Sequence, residues 1–190
     1  QSQYTDSILQ KIAVEKNEDK KVDLIFSIYT PDFLNKPTQI IETGQALLKQ
    51  SQENNDIIKQ SSAFCFLGFG YRLSGSMIKG LEFHQKALTL AEKSGNFSML
   101  AVTKNLMGHI YRDREDYDKA LQLYLSALTD GQKGKNEMVK AWPLMNIGAI
   151  YLSKDKPDSA LKYLQSSYEL CLKVDTLDLP YTLWNLGAVH

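Results

Sequence analysis

The sequence has no charge imbalance and no long apolar run. Its 190 residues include 22 Lys and Arg and 22 Asp and Glu, so the formal net charge is zero. A neutral chain lacks the basic surface with which most proteins bind nucleic acid or an anionic membrane. The longest apolar run, residues 63–71, is about half of the roughly 18 residues that a membrane-spanning helix needs. The 43% of apolar residues nevertheless predict a sizeable folded core.

Motifs for catalysis and metal binding are also missing. Cys65 and Cys171 stand far apart, with neither a disulfide framework nor the spacing of a zinc site, and we expect both to be buried. The sequence contains no P-loop, HExxH, GxSxG, CxxC or EF-hand motif. The three histidines, His84, His109 and His190, have no metal-ligating partner at helical spacing. We therefore predict a segment that is not an enzyme and holds no metal and no cofactor.

An internal repeat is what the sequence does contain. Four glycines at nearly equal intervals mark it, and each lies in a similar apolar phrase: Gly68, Gly108, Gly148 and Gly187. A second phrase begins twelve residues after each of the first three glycines, at Gly80, Ala120 and Ala160. A fixed period of this length predicts an array of stacked structural units.

The pattern inside each unit is helical. Residues on one face of a helix recur at the spacing of Ala120, Leu121 and Tyr124, and strand-like alternation is absent. A polar turn at residues 113–116 separates this second helix from the one that carries Gly108. Small residues at Gly108 and Ala120 predict that the two helix axes approach closely.

These residues resemble the tetratricopeptide repeat family. The fullest match to the family's motif is the unit with Gly108, Tyr111, Tyr117, Ala120, Tyr124 and Ala127. The preceding unit departs from the motif, with Gly80 in place of Ala and His84 in place of an aromatic residue. The interval between the glycines is longer than the family's usual period of about 34 residues and is similar to that of the long-helix subclass. The resemblance implies an all-α fold, a right-handed superhelical solenoid of antiparallel helix pairs.

We predict six segments along the chain. They are an N-terminal capping helix within 1–19, a degenerate unit over 20–58, units over 59–99, 100–139 and 140–178, and the first helix of a further unit over 179–190. In the degenerate unit, Val22, Leu24, Ile25 and Ile28 are expected on the first helix. Ile40, Ile41, Leu47 and Leu48 are expected on the second. We expect the natural protein to continue beyond His190, because an unpaired first helix leaves an apolar face uncovered.

The first helix of each pair lines an inner groove in the resembled family. At 100° per residue, the side of these helices opposite the partner helix carries aromatic, Met, Arg and Asn residues, a composition typical of a binding surface. The predicted partner-binding residues are Phe69, Arg72, Asn105, His109, Arg112, Trp142, Met145, Asn146, Tyr181, Trp184 and Asn185. The alternative is that Trp142 and Trp184 pack against neighbouring units.

Two kinds of polar contact are expected in this groove. Arg72 and Arg112 stand one repeat period apart and could meet one carboxylate of a partner. Asn146 and Asn185 occupy equivalent places in their units, and the resembled long-helix subclass implies that such asparagines hold the backbone of a bound peptide. Asn105 lies one residue earlier in its unit.

The predicted function is the binding of a protein or peptide segment without catalysis. The order of irregular and then regular repeats is similar to the N-terminal sensor regions of bacterial two-component histidine kinases and related regulators. That resemblance implies a periplasmic part of a membrane-anchored signal-transduction protein, with a cytoplasmic location as the alternative. A second hypothesis is a free-standing dimerisation or assembly scaffold without a separate ligand, which pairs two copies through the face near 181–190.

Overall fold

The structure is a computed structural model that describes residues 10–12, 14–26, 35–134, 136–174 and 185–187. Within these ranges the chain is helical with no strand, and residues 10–12, 14 and 185–187 are helical as well. The longer helices are α1 Glu18–Phe26, α2 Pro37–Glu53, α3 Ile57–Leu73, α4 Met77–Ser94, α5 Phe97–Asp113, α6 Tyr117–Gly134, α7 Glu137–Ser153 and α8 Pro157–Val174. The prediction of an all-α solenoid is confirmed. No described helix is both long and apolar enough to cross a bilayer.

Helices α3 to α8 form three antiparallel pairs, α3 with α4, α5 with α6 and α7 with α8. Each pair is joined by three residues, and the middle one has a positive φ: 80° at Gly75, 62° at Glu115 and 53° at Asp155. A left-handed residue ends a helix because it redirects the chain and lets the next amide bond back to the helix. The three turns therefore share one geometry, although only one of them has a glycine at the left-handed position.

The repeated glycines allow close contact inside each pair. A Cβ atom built on Gly68 would lie 2.6 Å from Nδ1 of His84, and one on Gly148 would lie 2.6 Å from Cγ of Leu164. Gly108 faces the ring of Tyr124 in the same way. Any side chain at these glycines would displace the residue opposite. A glycine therefore recurs once per unit, at the point where the two helices of the pair touch.

Helix α2 packs along α3 as the second helix of an earlier unit would. Ile40 and Leu47 of α2 are fully buried, and Ile41 and Leu48 are half-buried. Gly70 permits the approach, since a Cβ atom there would lie 2.6 Å from Cγ1 of Ile41. Residues 37–53, within the segment predicted as a degenerate unit, thus form a helix that packs on α3.

The first helix of that predicted unit is placed differently from the expectation. Helix α1 packs against α3 and α5 rather than lying as an antiparallel partner along α2. Its Val22 is fully buried in the same apolar cluster as Met99 and Val102 of α5, and Ile12 belongs to that cluster too. The reason is that α3 and α5 offer an apolar face on which α1 can bury Val22. Ile28 and most of the predicted capping helix lie outside the described residues.

Two apolar clusters make up the core of the described chain. The larger cluster joins α2, α3, α4 and α5 to Ile12, Val22 and Val139, and the smaller one includes Tyr124 and Ile147. Cys65 and Cys171 are not joined in a disulfide and both are buried, which confirms the prediction for both. Burial raises the pKa of the Cys65 thiol to about 12, so this side chain packs as a neutral group.

Candidate functional site on the inner face of α3, α5 and α7

The first helices of successive pairs lie side by side. Helix α5 packs against α3 and α7 as well as against its own partner α6. Side-chain contacts join α3 to α5 in their N-terminal halves, where the Ser62 hydroxyl donates to the Met99 sulfur at 3.4 Å. Cys65 Sγ and Thr103 Oγ1 also lie 3.4 Å apart. The three helices therefore present one continuous surface, the inner face.

An ion-pair cluster lies at the C-terminal ends of α3 and α5. The guanidinium of Arg72 donates to the carboxylate of Asp113, and Nη2 of Arg112 lies 3.4 Å from the other oxygen of that carboxylate. Arg72 also lies over the ring of Phe69, with 4.9 Å between its guanidinium carbon and the ring centroid. The two arginines that were expected to meet a partner's carboxylate thus both contact a carboxylate of this chain.

The side chain of Asn146 extends this cluster to α7. Its Oδ1 accepts from Nη1 of Arg112 at 3.3 Å, and its amide donates to Oδ1 of Asn105 at 3.0 Å. The same amide lies 3.1 Å from Nε2 of His109. Six side chains from three helices are therefore joined in one inner polar network, made of Arg72, Asn105, His109, Arg112, Asp113 and Asn146.

Two histidines have shifted pKa values here: His109, a half-buried member of the network, and His84, which is fully buried next to it. Burial, together with the charge of Arg72, lowers the pKa of His84 to about 3. Burial and the charges of Arg112 and Arg72 hold the pKa of His109 well below its ordinary value. Both rings are therefore neutral at pH 7, and in a neutral ring Nε2 of His109 can accept from Asn146.

Several polar atoms in this region have no protein partner. Among the described residues, the buried side-chain atoms without a hydrogen bond are Arg72 Nε, both ring nitrogens of His84, His109 Nδ1 and Tyr124 Oη. The rings of His109 and Tyr124 meet edge to face at 5.9 Å, and burial raises the pKa of the Tyr124 hydroxyl. The polar region therefore extends behind the inner polar network to Tyr124 of α6 and His84 of α4.

The structure brings most of the predicted groove residues together but buries several of them. Phe69, Asn105 and Asn146 are buried, and those that are half-buried are Arg72, His109, Arg112, Trp142, Met145 and Asn185. Trp142 packs against the larger apolar cluster, as the alternative interpretation expected. Tyr181 and Trp184 lie outside the described residues. The role of these residues in partner binding stays a prediction.

A second group of polar contacts lies at the opposite end of the inner face. Asp56, Asn96 and Asn136 are the N-cap residues of α3, α5 and α7, and each side chain accepts from a backbone amide of its helix. We refer to these three residues as the N-cap row. These residues are one repeat period apart in the sequence. Because each one directly precedes the first helix of its unit, the repeat alone predicts their equivalent positions.

Each member of the N-cap row also contacts α1. Nζ of Lys21 donates to Asp56 at 2.8 Å, and the Asn136 amide donates to Asp23 at 2.9 Å. The Asn96 amide donates to Glu18 at 3.4 Å. Three consecutive repeat units are thus tied to one short helix.

The Asp56 carboxylate is the charged centre of these contacts. Burial alone would raise the pKa of Asp56, but the hydrogen bonds from Lys21 and from the Lys59 amide, with the charges of both lysines, outweigh it. The pKa of Asp56 therefore lies below its ordinary value. The negative charge at this position stabilises both the start of α3 and the docking of α1.

Comparisons with known proteins agree with this architecture. The crystal structure of BtubC (BKLC) from P. vanneervenii is similar in fold, with a TM-score of 0.60 and 20% sequence identity over 96% of this chain and 82% of that chain. The apo form of RapI matches with a TM-score of 0.62 and 18% identity over 87% of this chain, which spans 61% of the RapI chain. No curated protein sequence matches significantly.

A family model described as Tetratricopeptide repeat matches residues 60–133 and 99–173. The two matches overlap and together include α4 to α7 completely and most of α3 and α8. Repeats of this family are modules for protein–protein interaction and are generally non-catalytic. The matched region exceeds half of the sequence, and the chain belongs to the tetratricopeptide repeat family.

Proposed function

We propose that this domain binds a segment of another protein on its inner face, with the inner polar network as the contact region. The observation that carries the proposal is the network itself, in which charged and amide side chains from three consecutive units share one surface. Arg112 and Asp113 keep 35% and 25% of their side chains exposed. A partner can therefore reach both charges without unfolding a helix.

The chemistry of the network favours a partner with carboxylate and amide groups. A carboxylate of a partner would compete with Asp113 for Arg72 and Arg112, because both arginines already hold a carboxylate there. A peptide backbone would offer the donors and acceptors that Asn146 now exchanges with Arg112 and Asn105. We propose that a partner takes over part of this existing set of hydrogen bonds.

Binding to the inner face can be tested without knowing the natural partner. Peptides are selected from a random displayed library on the immobilised full chain, and their dissociation constants are measured by fluorescence polarisation. Arg112→Ala should weaken binding of the selected peptides at least tenfold, a loss on the order of 1.4 kcal/mol. The matched control is Arg114→Ala, because Arg114 is an exposed arginine two residues away. Equal binding by both variants would contradict the proposal.

We also propose that the domain is the ligand-sensing part of a bacterial signal-transduction protein on the extracytoplasmic side of a membrane. The support is the order of irregular and regular repeats along the sequence. The amino-acid sequence of the intact gene product tests this role. A signal peptide before Gln1 with a membrane span and a kinase or DNA-binding module after His190 would support it. A chain that ends after one more helix would contradict it and favour the scaffold hypothesis.

A further inference from the structure

Helix α1 occupies the inner face in this structure. It packs against α3 and α5, two of the three helices that form that face. Its side chains also form hydrogen bonds with the N-cap residues of α3, α5 and α7. Asn136 stands 113 residues after Asp23 in the sequence. An element that belonged to a regular stack would contact its neighbours in the sequence, so α1 is an added helix laid across three units.

The contacts of α1 have the order of a short recognition motif. Glu18 accepts from Asn96, Lys21 donates to Asp56 and Asp23 accepts from Asn136. Between the last two, Val22 inserts into the apolar cluster with no exposed surface. On α1, one buried apolar residue lies between a lysine and a carboxylate. These groups match a carboxylate and an amide of the N-cap row and the apolar site beside them.

The docked state of α1 depends on these contacts. Isolated helices shorter than about 12–15 residues are marginal in water, and α1 has nine residues. Lys21 and Asp56 keep 13% and 15% of their side chains exposed, so water reaches the ion pair. Helix α1 is therefore held by its contacts with the three units and not by its own helical stability, and another helix of the same chemistry can form those contacts.

We infer that the N-cap row and the apolar site beside it form a docking surface for a short amphipathic helix, which α1 fills in cis and a partner protein fills by supplying a helix with the same order of groups. The partner helix carries an apolar residue between a lysine and an aspartate or glutamate. This inference rests on the proposed function, since it names the kind of partner for the inner face. Binding then exchanges one helix for another, and α1 lowers the apparent affinity for every such partner.

The experiment uses the full chain and a fluorescent peptide with the sequence of residues 10–26. Val22→Asp should release α1, because it places a charge in an apolar site. We expect the peptide to bind this variant at least tenfold more tightly than it binds the wild-type chain. The matched control is Lys20→Glu, which reverses a charge on the exposed side of the same helix. It should bind the peptide as weakly as the wild-type chain does.

A second variant protects the test from a loss of folding. If Val22→Asp lowers the helical content of the whole chain, the exchange Lys21→Glu with Asp23→Lys replaces it, because it changes only the charges that face the N-cap row. A peptide that carries Val22→Asp itself should not bind any variant. Equal affinity of the wild-type peptide for all chains, or binding to none of them, would overturn the inference.

The library peptides separate this inference from the proposed function. If the inner polar network binds partners, Arg112→Ala weakens the binding of these peptides, whether or not α1 is docked. If they lose affinity with Arg112→Ala but the peptide of residues 10–26 fails to exchange, the proposed function stands and the docking surface does not. If the peptide of residues 10–26 exchanges and Arg112→Ala has no effect, the docking surface stands without the network.

Discussion

Lys21 and Asp56 are joined at 2.8 Å across a separation of 35 residues, and Asp56 caps α3 through the Lys59 amide at the same time. One carboxylate therefore starts the first helix of a repeat unit and holds a helix that lies outside the regular stack. Asn96 and Asn136 have the same two roles without a charge. The ion pair at Asp56 is thus the contact of α1 that can be altered without removing a helix cap.

Asp56→Asn should weaken the docking of α1 and leave the start of α3 intact, because asparagine is as good an N-cap as aspartate. We expect a loss of about 1 kcal/mol in the free energy of unfolding, because solvent screening makes a partly exposed ion pair weaker than a fully buried charged hydrogen bond. Hydrogen exchange should show faster exchange in α1 and unchanged exchange in α3. Faster exchange in α3 alone would mean that the cap, and not the ion pair, is the important contact.

The same variant predicts a change in pH dependence. The pKa of Asp56 is lowered in the folded chain, so its contribution to stability is complete above its ordinary value of 3.8 and is lost as pH falls through the lower folded value. The wild-type chain should lose docking of α1 in that acidic window, and Asp56→Asn should lack this step. Urea unfolding between pH 5 and about 2 measures both curves.

His84 predicts a second and separate pH dependence. Its pKa is about 3 in the folded chain and near 6.5 when unfolded, so the unfolded state binds the proton first. Stability from this group is complete above pH 6.5 and falls by about 1.4 kcal/mol per pH unit as pH decreases toward 3. Urea unfolding between pH 7.5 and 4.5 should show this slope, and His109 adds to it in the same direction.

His84→Leu tests this assignment with a residue that the fold already accepts. Leu164 occupies the equivalent place opposite Gly148, as His84 does opposite Gly68. The variant should remove the slope that belongs to one proton and raise stability at pH 7 by about 1–3 kcal/mol, because two buried ring nitrogens lack partners. An unchanged slope would show that His84 does not titrate in this way.

The solenoid was predictable because its causes are local and repeated. Gly68, Gly108 and Gly148 recur at one period because each allows one residue of the partner helix to approach. A constraint that repeats in every unit is visible as sequence spacing. The placement of α1 was not predictable, because Asp23 and Asn136 meet only after three units have stacked.

The position of the inner polar network was predictable, but its burial was not. Helical periodicity placed Arg72, Arg112 and Asn146 on one face, and the structure joins them in one network. Periodicity cannot tell that α5 is enclosed by α3 and α7, and this packing buries Asn105 and Asn146. It also gave no sign that Asp113 holds both arginines, because it describes one helix at a time.

Glu115→Gly should stabilise the chain. Glu115 is exposed and has a φ of 62°, a conformation that costs an ordinary residue roughly 1 kcal/mol and costs glycine little. Gly75 has the same place in the preceding turn, with open space where a Cβ atom would lie. We expect a gain of about 0.5–1 kcal/mol for Glu115→Gly and a similar loss for Gly75→Ala by urea unfolding. Changes of the same sign in both variants would contradict this explanation of the turns.

Asp113→Asn should increase the affinity of the inner face for peptides that contain carboxylates. The substitution keeps the shape of the side chain but removes the charge that Arg72 and Arg112 now share. A partner's carboxylate then meets two arginines without an anionic competitor, and a charge-assisted contact of this kind is worth about 1.5 kcal/mol, or roughly tenfold in affinity. Fluorescence polarisation with the selected peptides and their Glu→Gln or Asp→Asn versions measures the effect. The control is Asp116→Asn, an exposed residue of the same turn whose N-cap role asparagine preserves. A gain for Asp113→Asn that is independent of the peptide's carboxylates would point to a loosened fold rather than to freed arginines, and no gain would show that partners do not use this arginine pair.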